Sequence, residues 1–169
     1  MPVTMHQAAI PVTIHHLQTL TGIIDKAIAH CAARKIDQST LINFRLAPDM
    51  LPFSTQVRFS ADLARGLAAG LCGVDSPAYS DTETNFDELK ERIAKTIAYL
   101  KTFRPEQMEG SEQREIVLKT HGGELRFPRG DQYLLKFFIP NYYFHLTAAY
   151  LILRHCGIEI GKMDFLGSL

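Results

Sequence analysis

The stretch from Pro140 to Gly167, PNYYFHLTAAYLILRHCGIEIGKMDFLG, decides the fold. It continues an apolar run that starts at Leu134 and Phe137 and passes through Tyr142, Phe144, Leu146 and Tyr150 to Leu153, interrupted by Lys136, Asn141 and His145 and followed by Arg154. Gly157 stops the helix, because a glycine just past the last periodic residue takes up the left-handed conformation that ends one. A helix without a polar face must be covered all round, either centrally in a bundle or at a subunit interface. The polar interruptions argue against a membrane span. A histidine at the centre of such a helix is either a ligand for something or a hydrogen-bonded core residue.

Upstream, Ile10, Ile14, Leu17, Leu20, Ile24, Ala27, Ile28 and Cys31 recur at helical intervals, which predicts a long first helix over 4–34, kinked or started at Pro11. Ser39 is the candidate cap of a short turn reaching Leu46. Pro48 then interrupts before a second long helix over 52–71, with Phe53, Val57, Phe59, Leu63, Leu67 and Leu71 on its buried face. A loop over 73–81 follows. Thr84 and Asp87 resemble a capping box ahead of Phe86, Leu89, Ile93, Ile97 and Leu100, a third helix ending near Phe103. Between Arg114 and Phe127 the period changes to two. REIVLK and ELRF flank His121, Gly122 and Gly123, which predicts a small hairpin with His121 as a solvated turn residue. The last helix covers 131–155 with a bend at Pro140. The expected fold is all-α, an antiparallel four-helix bundle with a β-hairpin inserted before the last helix, in one domain over 1–169.

Apolar residues make up 46% of the 169 and charged residues 21%, the balance of an ordinary globular protein. The 18 basic residues cancel the 18 acidic ones, so there is no electrostatic footprint for nucleic acid or an anionic membrane, and neither partner is expected. The opening MPVTMHQAAIPVTIHH has no basic region ahead of an apolar run, and the chain is expected in the cytoplasm. Cys31, Cys72 and Cys156 are far apart with no CxxC pair, which favours buried free thiols over a disulfide framework or zinc knuckle. Cys156 lies near a helix C-terminus, where the dipole disfavours a thiolate. No P-loop, GxGxxG, GxSxG or HExxH pattern commits the chain to a known chemistry.

Bundles often build metal sites from facing helices, and two ligands on one helix should lie three or four positions apart. None of the seven histidines meets that spacing. His15 and His16 point about 100° apart, and His145 and His155 are separated by roughly 15 Å of helix rise. Four positions after His145 stands Ala149, and four before it Asn141. A metal at His145 therefore needs partners from other helices, of the types offered by His16, Asp49, Gln56 or Asp62, a donor set suited to zinc, nickel or iron. The competing reading is a core histidine satisfied by a hydrogen bond. Asn43, Arg45, Asp49 and Gln56 cluster at the entry to the second long helix, in LINFRLAPDMLPFSTQ. Arg45 with Asp49, and Arg154 with Asp164, are read first as structural ion pairs. The candidate ligand pocket is His145, Asn141, Asn43, Arg45, Asp49 and Gln56, with no catalytic residue assigned.

ARKID, RLAPDM, the QV pair, DTETNFDELKERIAKT, EGSEQREIVLK, PNYYFHLTAAYLILRH and the closing GKMDFLG resemble, in order and across almost the whole chain, the DUF1993 family, a bacterial family of the DinB/YfiT-like superfamily. The resemblance implies an up-down-down-up four-helix bundle, often dimeric through its helices. For many relatives it also implies a divalent metal held by three histidines, one on the second helix and an HxxxH pair on the fourth. For some it implies thiol-dependent transferase or isomerase activity. Here His145 matches the first histidine of the pair, Ala149 stands at the second, and the second helix offers Gln56 or Asp62 and no histidine. The expectation is a homodimer with a polar pocket around His145 that binds a small molecule or a partner, without the three-histidine site and without a cofactor. The alternative is a metal- or thiol-dependent enzyme of the transferase or hydrolase type with an atypical ligand set.

Overall fold

Thr4 opens the first helix, α1 (Met5–Arg34), by accepting a bond from the Gln7 backbone N–H while its own N–H donates to the Gln7 side chain. This reciprocal box satisfies two of the donors that a helix start leaves free. The start is thereby set ahead of Pro11, which lies inside the helix and does not begin it. The computed structural model describes residues 2–120 and 123–168; His121 and Gly122, assigned above to the hairpin turn, lie outside them.

A short helix α2 (Gln38–Ile42) follows, capped by the Asp37 carboxylate, which accepts from the Ser39 N–H at 2.8 Å. The cap is Asp37 rather than Ser39, and the helix ends at Ile42 rather than Leu46. Helix α3 (Phe53–Cys72) ends on Gly73 in the left-handed conformation, φ +68°, where a side chain would be strained. In α4 (Phe86–Leu100) the cap is Asn85, whose side chain accepts from the Glu88 N–H at 2.9 Å. Glu88 reaches back to the Thr84 N–H and hydroxyl, so the motif sits one residue later than the Thr84–Asp87 pairing expected from sequence.

Two 3-10 turns (Pro105–Met108 and Ser111–Gln113) lead into the hairpin of β1 (Ile116–Thr120) and β2 (Gly123–Phe127), antiparallel with Ile116 opposite Phe127 and Thr120 opposite Gly123. The hairpin plugs one end of the bundle through buried Ile116 and through Phe127, whose ring packs on Tyr133 and Phe137.

The last long helix is not continuous. A short turn α5 (Gly130–Gln132) passes into a π-helical stretch (Tyr133–Phe138), and α6 (Ile139–His155) resumes the α register. Pro140 accounts for the change. Its ring would strike the carbonyl four residues back in an α-helix and it has no N–H to donate, whereas the wider π turns move that carbonyl aside. After Gly157 the tail returns along α1 as α7 (Lys162–Leu166). There Lys26 pairs with Asp164 at 2.6 Å and His15 Nε2–H donates to the Leu166 carbonyl at 2.5 Å. The expected Arg154–Asp164 pair is not formed: Lys26 takes the carboxylate and Arg154 reaches the Ile158 carbonyl.

The core lies between α1, α3, α4 and α6, with Leu17 and Ile24, Phe53 and Leu67, Phe86 and Ile93, and Tyr142 and Ile152 fully buried. Tyr142 bonds through its hydroxyl to the Thr13 carbonyl at 3.0 Å, locking α6 onto α1. Phe59 was expected in this core and is 39% exposed. It stands roughly 200° around the helix from Val57, and Ser60, Ala61 and Ala64 fill the inward positions in its place. No helix among the described residues is long and apolar enough to cross a membrane.

Candidate functional site

Gln56 lies in the first turns of α3 with its side chain turned into the bundle, where it is buried. Its amide NH2 donates to the Leu51 carbonyl, just ahead of the helix, at 3.1 Å. The neighbouring carbonyl, that of Met50, is held by the Arg45 guanidinium at 2.5 Å. Across from α3, α6 presents His145, only 8% exposed, and its Nδ1–H donates to the Gln56 side-chain oxygen at 2.7 Å. The rings of Phe59 and Phe144 stand edge-on to the imidazole at 5.0 and 5.3 Å. Burial holds the His145 pKa below its ordinary value of 6.5, so the ring is neutral at neutral pH.

The remaining candidates are dispersed around this pair. Asn141 is half-buried one turn before His145 on α6. Asn43 closes α2 by donating to the Ser39 carbonyl at 2.9 Å. Asp49 is exposed on the connection between α2 and α3, and among the described residues it forms no ion pair with Arg45. The turn that bonds the Met50 N–H to the Ala47 carbonyl brings the Met50 carbonyl to the guanidinium instead. His16 belongs to a different neighbourhood, with its ring against His15, Tyr143 and Phe165 and its Nδ1 buried without a partner. Burial, and secondarily the charge of His15, lower its pKa, although the Phe165 backbone pulls the other way.

A second polar centre was not anticipated from sequence. Arg92 on α4 is buried and bonds Asp62 at 2.7 Å, Glu83 at 2.8 Å, Asp81 at 3.1 Å and the Ser80 carbonyl at 3.0 Å. Arg58 grips Glu83 through both its carboxylate (2.8 Å) and its carbonyl (2.7 Å), and Arg65 bonds Asp62 and the Pro77 carbonyl while lying 3.9 Å over the Tyr79 ring. Together they strap the 73–85 connection onto α3 and α4. Asp62, a candidate metal partner by residue type, is committed to these arginines. A cavity of about 410 Å³ opens over the strap beside Tyr79, Glu83, Glu88, Arg92 and Lys95. The readable signal was an arginine in the buried stripe of α4, between Leu89 and Thr96.

A mostly helical bundle with a small hairpin ahead of its last helix, carrying a buried histidine between the second and last long helices, is a bundle of the DinB-like class. The family model described as "Domain of unknown function (DUF1993)" matches residues 5–166, and the chain belongs to that family. A crystal structure of a DinB family member protein from Shewanella denitrificans matches at 35% identity and a TM-score of 0.89, covering 97% of this chain and 92% of that one. No curated protein matches the chain.

The superfamily's metal triad does not fit the residues found here. Ala149 has no donor and is fully buried, Gln56 spends its side-chain oxygen on His145, and Asp49 and His16 face other surroundings. Among the described residues no three histidine, cysteine, aspartate or glutamate side chains are placed to share a metal ion.

Proposed function

We propose that the chain is a cytoplasmic, homodimeric bundle protein that binds a small molecule or a partner on the α3–α6 face around His145. Gln56 and Asn141 flank that residue, and Asn43, Arg45 and Asp49 lie on the neighbouring 43–52 segment. The observation that carries this reading is a buried imidazole with one nitrogen held by Gln56 and the other without a partner among the described residues, set between two phenylalanines that remain in water: Phe59 and Phe144, the latter 56% exposed. Leu151 extends the exposed apolar surface two turns along α6. Such surface costs free energy while bare, and aromatic residues are enriched in the cores of interfaces. A helix apolar on every side has thus been covered by α1 and α3 on the inside and left open on the outside.

Sedimentation tests the assembly. The wild type is expected to run as a dimer at micromolar concentration and Phe144→Glu as a monomer. At dilutions where both proteins are monomeric, the stability of Phe144→Glu should differ from that of the wild type by no more than about 0.5 kcal/mol, because the side chain is exposed in the single chain. A monomeric wild type would count against the dimer. Elemental analysis of tag-free protein beside His145→Ala tests the other branch: neither should carry a stoichiometric transition metal. One equivalent of zinc, nickel or iron, lost in the variant, would instead support a metal-dependent enzyme with an unusual ligand set.

A further inference from the structure

We propose that Gln56 is a positioning residue that fixes His145 in one neutral tautomer, and that the ligand received there is a flat apolar small molecule carrying an O–H or N–H donor. This rests on the reading of the His145 face as a binding site and gives that site a ligand class. The Leu51 carbonyl can only accept, so the Gln56 amide turns its NH2 toward Leu51 and its oxygen toward His145. An amide oxygen can only accept as well, and the proton therefore sits on Nδ1 of His145. Gln56 is 1% exposed, so water cannot stand in for either partner. Arg45 steadies the chain of bonds from behind by holding Met50, the residue before Leu51.

What remains is the lone pair on Nε2. Among the described residues no group donates to it, and unlike Nδ1 of His16 it is not sealed away from solvent. A fixed lone pair with no cation beside it rejects a carboxylate and accepts a hydroxyl or an amine N–H. Phe59 and Phe144, 39% and 56% exposed, pack against the imidazole and offer the apolar surface on which the body of such a ligand would lie, and aromatic side chains favour a flat ring there.

The test reads the ring nitrogens of His145 by nitrogen-15 NMR in the intact chain, with phenol, anisole and benzoate as probes. Phenol and anisole share a shape and differ in the donor, whereas benzoate adds a charge. The free protein should show Nδ1 protonated and Nε2 bare. Phenol should shift Nε2 and bind about fivefold more tightly than anisole, the ratio a single net hydrogen bond gives, with benzoate weakest. In Gln56→Leu both tautomers should appear, and phenol should fall to the affinity of anisole while anisole is unaffected. A proton on Nε2 in the wild type, which needs no variant to fold, overturns the tautomer. Equal binding of phenol and anisole overturns the ligand class and leaves the binding face standing. If no probe touches the His145 signals, the binding face and the ligand class fall together.

Discussion

Arg92→Ala is expected to destabilise the fold by about 3 kcal/mol, the upper end of what losing hydrogen bonds to a charged group costs, since the carboxylates it leaves keep other arginine partners or water. The loss should be read as a lower urea midpoint with an unchanged slope. The magnitude follows from what the variant leaves behind. Arg92 is the shared partner of Asp62, Asp81, Glu83 and the Ser80 carbonyl. Arg58 continues to hold Glu83 and Arg65 continues to hold Asp62; Glu83, its side chain 10% exposed, loses a second bond where little water reaches it, whereas Asp62 and Asp81, at 36% and 60%, turn to water instead. The strap over 73–85 then retains Pro77 and Glu83 and loses Ser80 and Asp81. Adding Glu83→Gln to the variant should cost less than it does in the wild type, because the charge it removes no longer has Arg92 to pair with.

The same substitution should flatten the acid limb of the stability curve. Burial alone would raise the Glu83 pKa, but bonds from Arg92 and Arg58 outweigh it and hold the carboxyl below its ordinary value of 4.5. A carboxylate depressed in the folded state stabilises fully above the unfolded value and loses that contribution as the pH falls through the folded one, since the unfolded chain takes up the proton first. The gap between wild type and Arg92→Ala is therefore widest near neutrality and narrows as the pH falls below the ordinary carboxyl value of 4.5. A gap that stayed constant down to pH 3 would mean that Arg92 acts through packing rather than charge.

How much of this was legible in the chain depends on whether the deciding contact is local. The four helices and the hairpin follow from repeats of 3.6 and 2, which adjacent residues carry, and each lies within a few residues of its expected bounds. Phe59 leaves its expected core place because helical phase outweighs residue type there: the inward turn of the helix falls on Val57, Ser60 and Ala61. The break before Pro140 was visible as a proline but not as a π turn, since that choice depends on the buried Tyr133 and Phe138 keeping their places in the core. Arg45 with Asp49 and Arg154 with Asp164 failed for one reason: proximity in sequence offered a carboxylate, and the folded backbone offered a carbonyl or a lysine from α1 instead. His145 and Gln56, 89 residues apart, could be marked as candidates by type, but only the crossing of α6 over α3 brings them to hydrogen-bonding distance. The arginine strap is the same lesson in reverse. Arg92 stood in the apolar stripe between Leu89 and Thr96, where a charge must have a partner, and none of its partners was within reach on its own helix.

Gly130→Ala is expected to cost about 3 kcal/mol, at the upper end of what overpacking a core usually does, measured by thermal or urea denaturation. The cause is purely steric, since Gly130 is not in a left-handed conformation. A Cβ at this buried position would run into the Ser111 carbonyl oxygen and approach a Leu71 methyl at 3.2 Å. A backbone oxygen held in a 3-10 turn cannot swing away as a side-chain tip can. Either that turn or the start of α5 must move, and α5 carries the entry to the π segment and Tyr133. Gly22 supplies the control. It is exposed in the middle of α1 with nothing within 4 Å of its would-be Cβ, so Gly22→Ala should stabilise by about 0.5–1 kcal/mol through helix propensity alone. One methyl group added at two glycines of one chain should thus move the midpoint in opposite directions. If Gly130→Ala proves neutral, the close seat of α5 on the Ser111 turn is wrong, and with it the placement of the hairpin against the end of α3.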